Sequence, residues 1–308
     1  MSLRAAVVGV GYLGNFHAQK YKSLTGVQLV GVCDTLLSQA VKVATDLGVR
    51  AFSKPQDLLG EVDMVTIAST TRTHFELAQF FLSHGVHVNV EKPMTVTVAE
   101  AEELVQLAAA KNLVLTVGHI ERFNPAVVAL KAQMQKPKII ELQRHAPFKA
   151  RGADVSVVHD LMVHDIDLLL SMVPSPVVKV HARGSKVVTN SWDVASATFE
   201  FANGVLGFIH VSRIASAMTR SVKVVDQNFQ IFANTQTGEL EKISHGTSEQ
   251  EPLKVEKWTV DKKDALLQET ETFVKAVQKQ GSLLVTGQDG LQAMKFVETV
   301  VGLIEKFS

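Results

Sequence analysis

Over its first 120 residues the chain switches repeatedly between two hydrophobic periods. Short runs dense in Val, Ile and Leu (RAAVVGV, VQLVGVCD, VDMVTIAS, VHVNVE and LVLTVGH) alternate with helix-like stretches: YLGNFHAQKYKSL, LLSQAVKVATDLG, THFELAQFFLSHG and VAEAEELVQLAAAKN. A strand that is apolar on both sides needs cover on both sides, and amphipathic helices supply it. The pattern therefore predicts an α/β domain over 1–120: a doubly wound parallel sheet with right-handed crossovers.

Past about Pro125 the character changes. One helix-like stretch precedes KIIELQRHA, and then come the strand candidates VVKVHARGSKV, DVASATFEFANG, VLGFIHVSRIA, SVKVVDQ and NFQIFAN. In DVASATFEF, alternation puts Ala195, Ala197, Phe199 and Phe201 on one side and Val194, Ser196, Thr198 and Glu200 on the other. Asn203-Gly204 is a hairpin signal between two such runs. Two helices near 263–280 and 286–306 end the chain. Residues 121–308 are thus expected to form a second, α+β domain with a large open, mostly antiparallel sheet.

Composition narrows the function classes. With 308 residues, 46% hydrophobic and 20% charged, the chain can bury an ample core. Lys+Arg and Asp+Glu balance at 31 each, so no basic surplus draws in nucleic acid or an anionic membrane. No apolar run is long enough for a membrane span, and MSLRAAVVGVG lacks a signal-peptide pattern, so a cytoplasmic location is expected. Cys33, the single cysteine, cannot form an internal disulfide and suits packing.

Residues 9–14 read GVGYLG and fit G-x-G-x-x-G between a strand and a helix. In that pattern Gly9 makes the tight turn, Gly11 lets a pyrophosphate approach the backbone, and Gly14 allows close helix–strand packing. The N–H groups of Tyr12 and Leu13 would face the phosphate oxygens. Asp34, 20 residues after Gly14, can accept from ribose hydroxyls and repels a 2′-phosphate, favouring NAD over NADP. Two further strand ends fall where such sheets bind ligands. Ser69, Thr70 and Thr71 can cap the next helix or hydrogen-bond the cofactor, and His74 suits a cofactor contact or a plain first-turn position. Glu91-Lys92-Pro93 ends an apolar strand, and Pro93 restricts Lys92 to extended geometry. A lysine there can stabilise a developing alkoxide beside a nicotinamide, or simply be solvated.

VVHDLMVHDIDLLL places five titratable groups in one greasy helix. Asp160 and His164 are i and i+4 and share a face. Asp160 can hold one ring nitrogen so that the other takes a substrate proton. A satisfied core histidine, with Asp165 and Asp167 on a solvent edge, is the alternative. His159 and His164 are five apart and do not converge, so no metal is expected.

With these three motifs in this order, the chain closely resembles the Gfo/Idh/MocA oxidoreductases over nearly its whole length. The resemblance implies an N-terminal Rossmann domain, a C-terminal open-sheet domain, an active site between them, NAD as cofactor, and Lys92, Asp160 and His164 as the catalytic trio. Glu91 and Lys92, at their strand end, are also expected to face the cofactor. GHIERFNPAV and RHAPFKARGADVSVVHDLMVHDIDLLL look like the members that oxidise C3 of UDP-N-acetylglucosamine. That likeness makes Arg122, Asn124, Arg144, Arg151 and Arg213 candidate substrate contacts, since guanidinium suits bidentate oxygen recognition. For the arginines a surface role is the alternative. The expected partner is a small nucleotide-sugar. Rival readings are a dehydrogenase of inositol or another free polyol, a redox-neutral NAD-dependent glycosidase, and a non-catalytic NAD(H) sensor. A homodimer or homotetramer is expected, because VLGFIHV is apolar on both faces.

Overall fold

The computed structural model of the protein describes residues 2–150 and 155–307. In chain order the first elements are β1 (Leu3–Val8), α1 (Tyr12–Ser23), β2 (Val27–Cys33), α2 (Leu37–Leu47), β3 (Arg50–Phe52), β4 (Met64–Ile67), α3 (His74–Ser83), β5 (His87–Val90), α4 (Val98–Ala110) and β6 (Leu115–Val117). There follow α5 (Pro125–Gln133), β7 (Pro137–His145), α6 (Val163–Met172), β8 (Val177–Ser185), β9 (Val194–Phe201), β10 (Leu206–Ser212), β11 (Thr219–Asp226), β12 (Phe229–Asn234), β13 (Glu239–His245) and β14 (Leu253–Thr259). Helices α7 (Ala265–Val277) and α8 (Gly287–Lys306) complete the chain.

The chain divides into two compact units, Met1–Ile120 with Asp264–Met294, and Glu121–Lys263 with Lys295–Ser308. In the first unit, six strands run parallel in the order β3-β2-β1-β4-β5-β6. Ala5, Ala6 and Val7 of β1 are fully buried, as the two-sided apolar pattern requires. β3 is absent from the sequence reading, because three residues at a sheet edge carry no measurable period. A capping box between Thr97 and Glu100 starts α4.

A second domain running unbroken over 121–308 is corrected by the structure. Phe273 and Val274 of α7 share a core cluster with Ala5, Val7, Ala18 and Tyr21. Burying that apolar stripe returns residues 264–294 to the first unit.

The second unit holds an eight-stranded sheet, β14-β13-β12-β11-β7-β10-β9-β8. Every neighbouring pair is antiparallel except β7–β10. In β9, Ala195, Ala197, Phe199 and Phe201 are buried, in agreement with the alternation. The β9–β10 hairpin turns at Gly204, where φ is 83°. A Cβ on Gly207 would stand 2.4 Å from Leu169, so this glycine lets α6 lie close on β10. β13 and β14 escape the sequence reading because ELEKISH and LKVEKWT are too polar to register as strands.

Candidate active site

The glycine-rich turn joins β1 to α1. Gly9 has φ of 82°. A Cβ there would stand 2.5 Å from the Ser69 backbone nitrogen, and one at Gly14 would stand 1.9 Å from the Gly9 carbonyl oxygen. Both positions therefore exclude a side chain. At Gly11 a Cβ would meet nothing within 4 Å, so the backbone is open to an approaching group. Gly11 caps α1 without a side-chain bond, and Tyr12 and Leu13 in the first turn are exposed. Such a first turn offers N–H groups to an anion. A cavity of about 430 Å³ opens here, lined by Gly9, Gly11, Asp34, Ser69, Thr70 and Thr73 among others.

Asp34 Oδ2 accepts from the Val10 amide and Oδ1 from the Leu36 amide, each at 2.9 Å. A carboxylate so held still has two lone pairs for hydroxyl groups. Glycines that admit a backbone approach, an uncapped helix start and a fixed acid fit a dinucleotide. Burial, aided by the charges of Asp34 and Asp57, pushes the Cys33 thiol up to about 12, which leaves it an inert packing group.

At the end of β4, Ser69 Oγ pairs with Thr73 Oγ1 at 2.7 Å, and Thr73 Oγ1 donates to the Thr70 carbonyl at 2.9 Å. A short 3₁₀ turn, Thr71–Thr73, precedes α3, and neither Thr70 nor Thr73 caps with its side chain. The capping alternative is thus not realised. Thr71 lies outside the cavity lining, whereas Thr73 and Glu76, passed over in the sequence, line it.

His74 corrects the cofactor-contact expectation. It is 1% exposed, with Nδ1 2.9 Å from the Pro93 carbonyl oxygen and Nε2 3.1 Å from that of Ser69. Both ring nitrogens are engaged in tying two strand ends together. Glu91 also turns inward. Its Oε1 lies 2.8 Å from His17 Nε2, and its Oε2 accepts from the Lys92 amide at 3.3 Å. Lys92 is half-buried at the carboxyl end of β5, and its peptide to Pro93 is cis.

In the second unit, the histidine-bearing segment departs from a plain helix. Val158–Met162 form a π-helical turn that runs into α6. Such turns are rare and recur at functional sites. Asp160 is exposed and His164 half-buried. His159 Nε2 lies 4.0 Å from Glu298.

Asp165 and Asp167 are buried, not on a solvent edge. Arg144 donates to Asp165 from Nε at 3.1 Å and from Nη2 at 2.8 Å, and its Nη1 donates to Glu121 at 2.9 Å. Arg122 donates to Asp167 from Nε at 2.8 Å and Nη2 at 2.6 Å. A buried guanidinium is retained only when paired in this way. Burial works against the Arg144 charge, but Asp165 and Glu121 outweigh it and raise its pKa.

These pairs engage Arg122 and Arg144 internally and rule out the surface role offered as the alternative for both. Arg213 is buried as well, donating to the Val155 carbonyl with Nε 3.9 Å from Asp193. Asn124 caps α5, accepting from the Ala126 amide at 3.0 Å and donating to the Thr235 carbonyl at 2.8 Å. Arg151 lies outside the described residues.

Two buried groups of the first unit were missed, His17 and Glu269. His17 sits on the buried stripe Gly14, His17, Ala18 and Tyr21 of α1, a periodicity that marks it as inward-facing. No local signal attaches Glu269 to Glu91, from which it is 178 residues distant.

Comparison with known proteins agrees with this geometry. Residues 3–119 match the model for the oxidoreductase family with an NAD-binding Rossmann fold, and 126–237 match the GFO/IDH/MocA C-terminal domain. The chain is 36% identical over 309 residues to UDP-N-acetylglucosamine 3-dehydrogenase of Acidithiobacillus ferrooxidans, covering 99% of this chain and 98% of the relative. A solved structure of that enzyme aligns with a TM-score of 0.93 at 35% identity, over 100% of this chain and 99% of the other. Myo-inositol 2-dehydrogenase of Thermotoga maritima is 24% identical over 314 residues, 95% of this chain and 93% of the relative. Rossmann cradle, open second sheet and two matched family models together establish that the chain belongs to the Gfo/Idh/MocA family of NAD-binding oxidoreductases.

Proposed function

We propose that the protein is an NAD-dependent dehydrogenase that oxidises a sugar hydroxyl to a ketone, with C3 of a UDP-N-acetylhexosamine such as UDP-N-acetylglucosamine as the target. The observation that carries this reading is the 36% identity to a UDP-N-acetylglucosamine 3-dehydrogenase across 99% of the chain. Lys92, Asp160 and His164 are the reacting residues in this proposal. Bound NAD⁺ supplies the hydride acceptor. His164 takes the hydroxyl proton, a task suited to an imidazole near neutrality. Asp160 orients the ring and stabilises its protonated form. Lys92 hydrogen-bonds the same oxygen and stabilises its growing negative charge. Lysine can itself serve as base if desolvation lowers its pKa. The remaining acceleration comes from alignment and electrostatics.

A second reading, dehydrogenation of inositol or another free polyol, has one observation in its favour. Arg122, Arg144 and Arg213 are committed to internal partners. A substrate without a diphosphate does not call on them. A homo-oligomer in the cytoplasm fits either reading; no helix among the described residues is long and apolar enough to cross a membrane.

One assay separates the readings: NAD⁺ with a panel of UDP-sugars, other nucleotide-sugars and free polyols, followed by NADH absorbance. The expected outcome is net NADH with UDP-N-acetylhexosamines, reduced roughly 10²–10⁴-fold in His164→Ala with NAD⁺ binding intact. NADH formed with inositol alone moves the assignment to the polyol class. Turnover of a glycoside without net NADH marks the redox-neutral chemistry, and full turnover in His164→Ala removes the histidine from the mechanism.

A further inference from the structure

The first unit buries ionisable groups that the chemistry above does not use. His17 comes from α1, Glu269 from α7 and Glu91 from the end of β5, with exposures of 0%, 2% and 9%. One ligand-type atom from each lies within 4.8 Å of the others. Glu91 is held through both oxygens, Oε1 to His17 Nε2 at 2.8 Å and Oε2 to the Lys92 amide at 3.3 Å. Gly118 makes room for this carboxylate: a Cβ there would stand 2.8 Å from Oε2. Glu269 Oε1 accepts from Asn89 Nδ2 at 3.2 Å. Asn89 also approaches Thr66 Oγ1, which pairs with Tyr21 on α1 at 2.7 Å.

A histidine and two glutamates suggest a metal, but the distances argue for a proton. Two tetrahedral ligands at about 2.0 Å from a zinc ion stand roughly 3.3 Å apart. At 2.8 Å, His17 and Glu91 are in direct hydrogen-bond contact.

We propose that His17 and Glu269 are positioning residues for Lys92, acting through Glu91: His17 holds the carboxylate that meets the Lys92 amide, and Glu269, buried in the same cluster, sets the charge beside the lysine. This rests on the reading of Lys92 as a reacting residue. With Glu269 protonated, the buried cluster carries one negative charge fewer than with Glu269 ionised. Burial, with repulsion from Glu91, pushes Glu269 up to about 7 against the pull of His17 and the Asn89 hydrogen bond. Burial lowers the His17 pKa, but the Glu91 hydrogen bond and the charges of Glu91 and Glu269 outweigh it, and the net shift is upward. Above neutrality Glu269 ionises, the cluster gains that negative charge, and the Lys92 ammonium is favoured.

Glu269→Gln keeps a carbonyl oxygen for Asn89 and removes the titrating group. The expected result is an alkaline limb of the kcat–pH profile displaced to lower pH, with the KM for NAD⁺ unchanged. His17→Ala is expected to lower kcat about tenfold at constant KM for NAD⁺, with partial recovery in His17→Gln, which restores a donor to Glu91. Lys92→Ala in the same assay separates the two levels of the argument. Severe loss in Lys92→Ala, with an unmoved profile in a folded Glu269→Gln, overturns the positioning role alone. Full turnover in Lys92→Ala overturns the assignment of the lysine and this proposal with it. If Glu269→Gln does not fold, the His17→Gln profile decides: one identical to the parent protein's overturns the role.

Discussion

At the scale of single residues, the chain spends its buried charges on holding loops and helices in place. Asp193 is the clearest case, fully buried and accepting from the amides of Val187, Val188 and Thr189 and from the Thr189 hydroxyl. Burial alone would raise its pKa, but these four donors win and hold it at about 2 against an ordinary 3.8. A depressed carboxyl contributes stability above its unfolded pKa and loses it as pH falls through the folded one. Asp193→Asn should therefore cost about 2 kcal/mol at pH 6, with the difference shrinking below about pH 5 and gone by about pH 1. Urea unfolding of both proteins across that range measures it; a pH-independent difference would place the cost elsewhere. The same logic explains the greasy histidine segment. Two of its five titratable groups, Asp165 and Asp167, neutralise buried arginines. Sequence spacing cannot foretell this, because Arg144 arrives from β7 and Arg122 from a turn before α5.

At the scale of elements, α7 is the informative one. It follows the second sheet in sequence yet contributes Phe273, fully buried, to the core beneath β1 and α1. Phe273→Ala should destabilise the first unit by about 3–5 kcal/mol, the cost of a lost aromatic side chain plus the cavity it leaves. Loss of less than 1 kcal/mol, by denaturant unfolding followed through far-ultraviolet circular dichroism, would show that α7 is not integral to that core. Helix and strand existence was readable wherever periodicity was strong, as in β1, β9 and α4. β3, β13 and β14 were not, since a three-residue edge strand and two charge-rich strands look like loop until a neighbouring strand supplies their hydrogen bonds.

At the scale of the whole molecule, cofactor binding and stability are linked. NAD⁺ at one hundred times its dissociation constant should stabilise the protein by about 2.7 kcal/mol, seen as a rise in Tm. Gly11→Ala provides the control. Its Cβ meets nothing within 4 Å, so the fold should be unharmed while a pyrophosphate is kept off the backbone. An NAD⁺-dependent Tm rise as large in Gly11→Ala as in the parent would place the dinucleotide away from this turn. What the sequence by itself determined was the alternation of two periods, the glycine turn, Asp34 and the Glu91-Lys92-Pro93 strand end, because each depends on neighbours a few residues away. Only the tertiary structure decided that α7 belongs to the first unit, that Arg122 and Arg144 are bound to aspartates, and that His17 and Glu269 close on Glu91. The physical reason is common to all three: a buried charge or apolar stripe must be satisfied, and it is indifferent to how far along the chain its partner lies.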